Sequence, residues 1–242
     1  VGFGTPRHEF STLPSTQAAA LEGAAAGAPE GSLYLACAQT QGRGRHGHGW
    51  ASVPDAGIYA SVVLRPARPA AALLTLTLAS GLAIADGVAA ATGLEPALRW
   101  PNDLLLGGRK FCGILLESAG EAAVLGFGIN LRANAVPPKL AGVATALDLH
   151  CRGPVGRDGV LAAALEHLER RYRAWAAGND RAMLEEFEAR CPLVRDGAVV
   201  VGGSTAAPCK ARTEGLDELG FLRVRREDGS RGLVVNGDVR PR

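Results

Sequence analysis

The chain predicts an α/β domain over residues 1–191 and a small all-β domain over residues 192–242. Three observations carry this reading. Up to Arg190, runs rich in β-branched residues alternate with alanine-rich and amphipathic runs, the pattern of helices packed on a sheet. Pro192 then marks a boundary. Beyond it, short apolar runs are separated by Gly202-Gly203, Gly215, Gly220, Asp228-Gly229 and Gly237-Asp238, a spacing that predicts a small antiparallel barrel.

The elements follow in order. Pro14-Ser15-Thr16 precedes an alanine-rich run, so either hydroxyl is a candidate cap for a first helix. Ser32–Gln39 and Ile58–Leu64 predict strands. Ala70–Thr92 predicts a long helix with weak or close-packing points at Gly81 and Gly87. Ala97–Trp100 resumes alternation until Pro101 stops regular pairing. Leu104–Leu106, a Gly107-Gly108 turn and Lys110–Leu116 predict a hairpin, and Ala123–Leu131 the next strand. Gly159–Ala177 and Arg181–Arg190 predict two more helices.

Composition narrows the class. Hydrophobic residues make up 47% and charged residues 21%, the balance of a globular protein with a full core. A net charge of +2, no basic tail and no DNA-reading motif give no sign of a nucleic-acid partner. The five cysteines, Cys37, Cys112, Cys151, Cys191 and Cys209, fit neither a zinc site nor a C-x-x-C redox pair. With no secretory leader before the first apolar segment, a cytoplasmic location is expected. The apolar stretch Ala70–Ala85 carries Thr75, Thr77 and Ser80 and ends at Asp86, which reads as a buried helix and not a membrane span.

Gly42-Arg43-Gly44-Arg45-His46-Gly47-His48-Gly49-Trp50 is the most informative segment. So many glycines exclude a helix or central strand and predict a mobile loop. Its arginine forks suit carboxylates and phosphates, so the loop predicts an anionic ligand; a solvated basic surface loop is the plainer alternative. It is not a dinucleotide fingerprint, because the expected acidic residue about 20 positions on is missing, and no Gly-Lys-Ser/Thr follows to make a Walker loop.

Four segments together resemble the biotin–protein ligases. Gln39-Thr40-Gln41-Gly42-Arg43-Gly44-Arg45-His46-Gly47 is similar to that family's biotin-binding signature. Trp100-Pro101-Asn102-Asp103, Lys110-Phe111-Cys112-Gly113-Ile114-Leu115-Leu116-Glu117 and Gly126-Phe127-Gly128-Ile129-Asn130 resemble its second, third and fourth signatures, in order and at matching separations. Ser15-Thr16 stands at the family's serine-threonine pair. The resemblance implies a mixed-sheet α/β catalytic domain related to class II aminoacyl-tRNA synthetases, then a small SH3-like β-barrel. It implies synthesis of biotinyl-5'-AMP from biotin and ATP with Mg²⁺, and transfer of biotin to one lysine of an apo biotin carboxyl carrier protein. Because the serine-threonine pair begins at Ser15, no room is left for the N-terminal winged helix of some relatives, and no DNA binding is expected. Monomer and homodimer both stay open.

The residue types suit this chemistry. A carboxylate must meet the α-phosphate of ATP, so positive donors are needed where two anions converge. The resemblance assigns Lys110 to that meeting point as the catalytic electrostatic residue, with Arg43 and Arg45 on the loop that closes over the intermediate. Ser15, Thr16 and Gln39 are expected on the polar ureido head of biotin. Gly42 belongs to the loop; Gly113 and Gly126 allow close approach of backbone and ligand. Trp50 resembles the tryptophan that packs on adenine, and Asn130 is expected on the adenine or ribose side. Asn102 and Asp103 resemble residues that organise nucleotide, metal and loop, with no metal ligand assigned. Lysines are scarce, only Lys110, Lys139 and Lys210, which adds weight to the one inside a motif. Cys112 reads as core. Three departures stand out: His48 where the family commonly has arginine, Arg99 where it has lysine, and Gln17 where it has asparagine. The alternatives weighed are a lipoate–protein ligase or octanoyltransferase sharing the core, and a biotin-binding protein without catalysis.

Overall fold

The strands β1 (Arg7–Leu13), β2 (Leu33–Gln39), β3 (Gly57–Leu64), β4 (Ala97–Arg99), β5 (Asp103–Leu106), β6 (Arg109–Ala119) and β7 (Ala122–Asn130) form one sheet in the order β1-β2-β3-β7-β6-β5-β4. Only β1 and β2 run parallel; every other neighbouring pair is antiparallel, so the sheet is mixed as expected. The structure is a computed structural model describing residues 2–178, 180–202 and 208–242.

Alternation along the strands sorts their side chains to two faces. Tyr34, Val63 and Val124 pack with Ala20 and Ala24 of α1 (Thr16–Ala25) on one face. Leu33, Leu35, Val62, Leu64 and Leu125 join the larger core beneath α2 (Leu73–Thr92), α3 (Arg157–Ala176) and α4 (Asp180–Arg190). The Ala70–Thr92 segment is long and apolar enough to cross a bilayer, yet most of it is buried against the sheet and α3 as a core helix. Its first turn, Ala70–Ala72, is 3-10. Asp86 of α2 accepts from Arg171 of α3 at 2.6 Å and Arg190 of α4 at 2.6 Å, tying the three helices together.

β8 (Arg195–Gly202), β9 (Cys209–Leu216), β10 (Leu222–Arg226), β11 (Arg231–Val234) and β12 (Asp238–Pro241) form a second, antiparallel sheet in the order β11-β10-β9-β8-β12. This corrects the SH3-like barrel expected from the turn spacing. Among the described residues the sheet is open, with β11 and β12 as unpaired edges. Turn spacing predicts short antiparallel strands, although Gly215 falls inside β9 and not in a turn, and closure needs the two edges to hydrogen-bond. Here β12 pairs with β8 and not with β11. Gly203, half of an expected turn, lies outside the described residues.

Candidate functional site

On the α1 face, small residues replace the bulky ones that fill the rest of the sheet. Ser61 of β3, Gly126 and Gly128 of β7 and Gly113 of β6 leave a depression at the N-terminal end of α1. A methyl group on Gly126 would stand 2.3 Å from Gln17 Oε1, and one on Gly128 2.4 Å from the Trp50 ring, so both positions need a bare backbone. The cavity of about 50 Å³ is also lined by Ser15, Thr16, Gln17, Gln39, Arg43 and Arg45. Trp50, Asn102 and Lys110 complete its walls.

One end is a polar, buried pocket. Gln39 Oε1 accepts from the Thr16 backbone N–H at 2.8 Å, and its Nε2 donates to Ser52 Oγ at 2.8 Å. Ser61 Oγ lies 3.0 Å from Thr16 Oγ1 and 3.1 Å from Gln17 Oε1. Gln17 Nε2 donates to the Val124 carbonyl at 3.1 Å. Ser15 is buried and its hydroxyl has no hydrogen-bond partner; nor does it cap α1, although Ser15 is the N-cap residue. A buried hydroxyl in this condition costs about 1–3 kcal/mol until something bonds to it.

The other end carries charge. Lys110 is the second residue of β6, just after the Gly107-Gly108 turn, where both glycines have positive φ. Its backbone is fixed by bonds from its N–H to the Val143 carbonyl at 2.9 Å and from the Thr145 N–H to its carbonyl at 2.8 Å. Its ammonium lies 2.5 Å from Asp103 Oδ1 and 5.3 Å from the centre of the Trp50 ring. Arg99 Nη2 holds the second Asp103 oxygen at 2.6 Å. The glycine-arginine segment folds as a short turn: the Gly44 N–H donates to His48 O at 2.7 Å, and the Trp50 N–H to Gly42 O at 2.8 Å. Arg45 Nη1 donates to Asn102 Oδ1 at 3.2 Å, while Asn102 Nδ2 donates to the Ile114 carbonyl at 2.6 Å.

Most of the residues singled out in the sequence therefore converge. Gly42, Asp103 and Asn130 stand behind the lining. Gly42 is buried under Trp50, and Asn130 Nδ2 donates to Thr145 O at 3.0 Å, bracing the segment that pairs with Lys110. His48 is exposed and outside the lining. Cys112 is fully buried, and burial pushes its thiol well above the ordinary range, so it is core as expected. Sequence reasoning left out Ser61 and undervalued Gln17. The available signal was a lone serine inside the otherwise hydrophobic run Gly57–Leu64, facing α1 by strand alternation.

Residues 10–134 match the biotin/lipoate A/B protein ligase family. The biotin–[acetyl-CoA-carboxylase] ligase of Mycobacterium tuberculosis is 40% identical over 234 residues, 93% of this chain and 85% of that protein. This chain belongs to the biotin/lipoate A/B protein ligase family. The bifunctional ligase/repressor BirA of Bacillus subtilis is 38% identical over 168 residues, and the match spans 66% of this chain but only 52% of BirA. Among solved structures, the biotin protein ligase of Aquifex aeolicus in complex with biotin and ATP superposes with a TM-score of 0.85 at 26% identity, covering 97% of each chain.

Proposed function

We propose that this chain is an ATP-dependent biotin–protein ligase. It joins the biotin carboxylate to the α-phosphate of ATP, releasing pyrophosphate and leaving biotinyl-5'-AMP. The ε-amine of one lysine on an apo biotin carboxyl carrier protein then attacks the acyl carbon, forming an amide and releasing AMP. The observation that supports this most is the polarity of one small cavity: a buried, unpartnered Ser15 hydroxyl at one end and Lys110 with Arg43 and Arg45 at the other. A ligand with an uncharged polar head and an anionic tail matches that gradient.

Each residue then has a task. Ser15, Thr16 and Gln39 bond the ureido head, helped by Gln17 and Ser61. Lys110 offsets the repulsion between carboxylate and phosphate and stabilises the charge that develops during transfer. Asp103, held by Arg99, orients the ammonium, and Asn130 braces the same strand through Thr145. Trp50 serves the adenine, Asn102 fixes Arg45, and Arg43 and Arg45 screen the phosphates from water. Gly42, Gly113 and Gly126 keep the backbone close to the ligand.

Mg²⁺ fits as a partner of the nucleotide, not of a protein cage. No cluster of three acidic, histidine or cysteine ligands occurs among the described residues, and Asp103 is already ion-paired with both Arg99 and Lys110. Mg²⁺ commonly keeps most of its bonds to water and phosphate, and there it supplies charge neutralisation. Residues 1–191 carry the reaction and 192–242 form the accessory domain. The five free cysteines accord with work in a reducing cytoplasm.

The test is to mix the protein with biotin, Mg²⁺-ATP and an apo carrier domain. The expected result is one biotin's mass added to a single carrier lysine. Lipoate and octanoate run in parallel should give no product; product from either of those alone refutes the reading.

A further inference from the structure

We infer that Asn236, in the turn between β11 and β12 of the C-terminal sheet, is a positioning residue for Arg45 and thereby for the ATP phosphates. The inference rests on the biotin–protein ligase reading above. Asn236 Oδ1 accepts directly from Arg45 Nη2, while Asn102 Oδ1 accepts from Nη1 of the same guanidinium. Two carboxamide oxygens from distant parts of the chain thus grip both arms of one planar fork. That fixes its plane as well as its place, which a single acceptor does not.

The grip matters only if Asn236 is itself a fixed post. Two features make it one. The C-terminal sheet is anchored to the catalytic domain at Trp100, whose buried Nε1–H donates to the Gly220 carbonyl at 2.9 Å. Gly220 sits in the β9–β10 turn against α2, where a methyl group would stand 2.9 Å from Leu78. The second feature is Gly237, whose φ of 141° is a conformation that side-chain-bearing residues avoid. It lets the chain turn within three residues from β11 to β12 and leaves Asn236 directed at the loop. The same turn closes one side of a second cavity of about 300 Å³, bounded by Arg45, His46, Leu73 and Pro101, that adjoins the first.

The consequence is a division of labour. Trp100–Gly220 is a buried structural joint, whereas Asn236–Arg45 is an exposed, breakable contact on the catalytic loop. Losing the Asn236 amide removes one of the acceptors that orient the arginine fork before ATP arrives, and binding must then restore the lost order. The expected phenotype is weaker use of ATP with little change in turnover once ATP is bound.

Asn236→Ala tests this in the full chain, with Asn236→Asp as the variant that keeps the accepting oxygen. Two quantities are read. The first is limited trypsin cleavage after Arg45 without ligand, which should be about fivefold faster in Asn236→Ala, the effect of one ordinary hydrogen bond. The second is the ATP dependence of biotinyl-adenylate formation, where KM should rise about fivefold and kcat stay within about twofold. Asn236→Asp should return both toward the parental values, and all three proteins should share one melting temperature. Parental cleavage and parental KM in Asn236→Ala overturn the inference, as does a fall in kcat alone. If the parental chain makes no biotinyl-adenylate, the ligase reading fails, and the cleavage comparison alone decides whether Asn236 holds Arg45.

Discussion

Lys110→Ala removes the ammonium and leaves the strand that presents it intact. The backbone of Lys110 is tied to Val143 and Thr145, and neither bond involves the side chain. Asp103 loses the contact at 2.5 Å but keeps Arg99 on its other oxygen at 2.6 Å. The Lys110 and Asp103 side chains are 29% and 14% exposed, so the pair is only partly screened, and its loss should cost about 1 kcal/mol of stability. The effect on chemistry is larger. Removing one preorganised donor from developing charge commonly costs about 10²–10³ in rate, or roughly 3–4 kcal/mol. The assay is single-turnover formation of biotinyl-5'-AMP from saturating biotin and Mg²⁺-ATP, with a thermal melt of the same preparation. Adenylate formed at the parental rate would refute the assignment. A rate loss accompanied by a collapsed melt would show that Lys110 holds the fold instead.

Three further substitutions probe other parts of the molecule. Ser15→Ala should leave stability unchanged or slightly raised, because the buried hydroxyl has no partner, but weaken biotin binding by about tenfold in calorimetry; destabilisation of about 1 kcal/mol would instead mark Ser15 as a helix cap. Gly126→Ala drives a methyl group against Gln17, disturbing its bonds to Val124 and Ser61, and should cost about 2–4 kcal/mol in denaturant melts and abolish tight biotin binding. A variant as stable as the parent would show that the Gln17 cluster yields freely. Asp86 is pushed up by burial, yet hydrogen bonds from Arg190 and Arg171 outweigh this and hold it below the usual carboxylate range. A depressed folded value means stability that is present above about pH 4 and lost as pH falls through the lower folded value. Asp86→Asn should therefore cost about 2 kcal/mol at pH 7 and flatten the acid limb of a melting-temperature profile; an unchanged profile would remove Asp86 from the acid response.

The sequence was most informative where burial imposes a pattern on both sides of a backbone. β3 and β7 are buried along their whole length and read as mostly apolar runs, with Ser61 inside one and Asn130 ending the other. β1 escaped notice because it is an edge strand, mostly exposed, and Arg7-His8-Glu9-Phe10-Ser11-Thr12-Leu13 has no apolar face of its own. Gln39, Arg43, Arg45, Asn102, Lys110, Gly113 and Gly126, all from the segments singled out in the sequence, line one cavity. Ser61 and Gln17 were harder to see, since a serine in a strand and a glutamine in a helix carry meaning only once the two elements are packed together. Closure of the second sheet was beyond reach for a related reason: each edge of that sheet is defined by which strand it does not meet, a nonlocal property that turn residues do not encode.

The tryptophans have an experimental consequence. Of the three in the chain, Trp100 and Trp175 are buried at 3% and 2% exposure, each with its indole N–H bonded, to Gly220 and Thr75 respectively. Trp50 alone stands in the cavity, its ring above Gly113 and Gly128, its N–H unbonded and the Lys110 ammonium nearby. The two core indoles lie outside the cavity lining, so a spectral change on adding a ligand is expected to originate at Trp50. The protein thus carries its own emission probe at the mouth of the site, and occupancy can be followed in solution without a label.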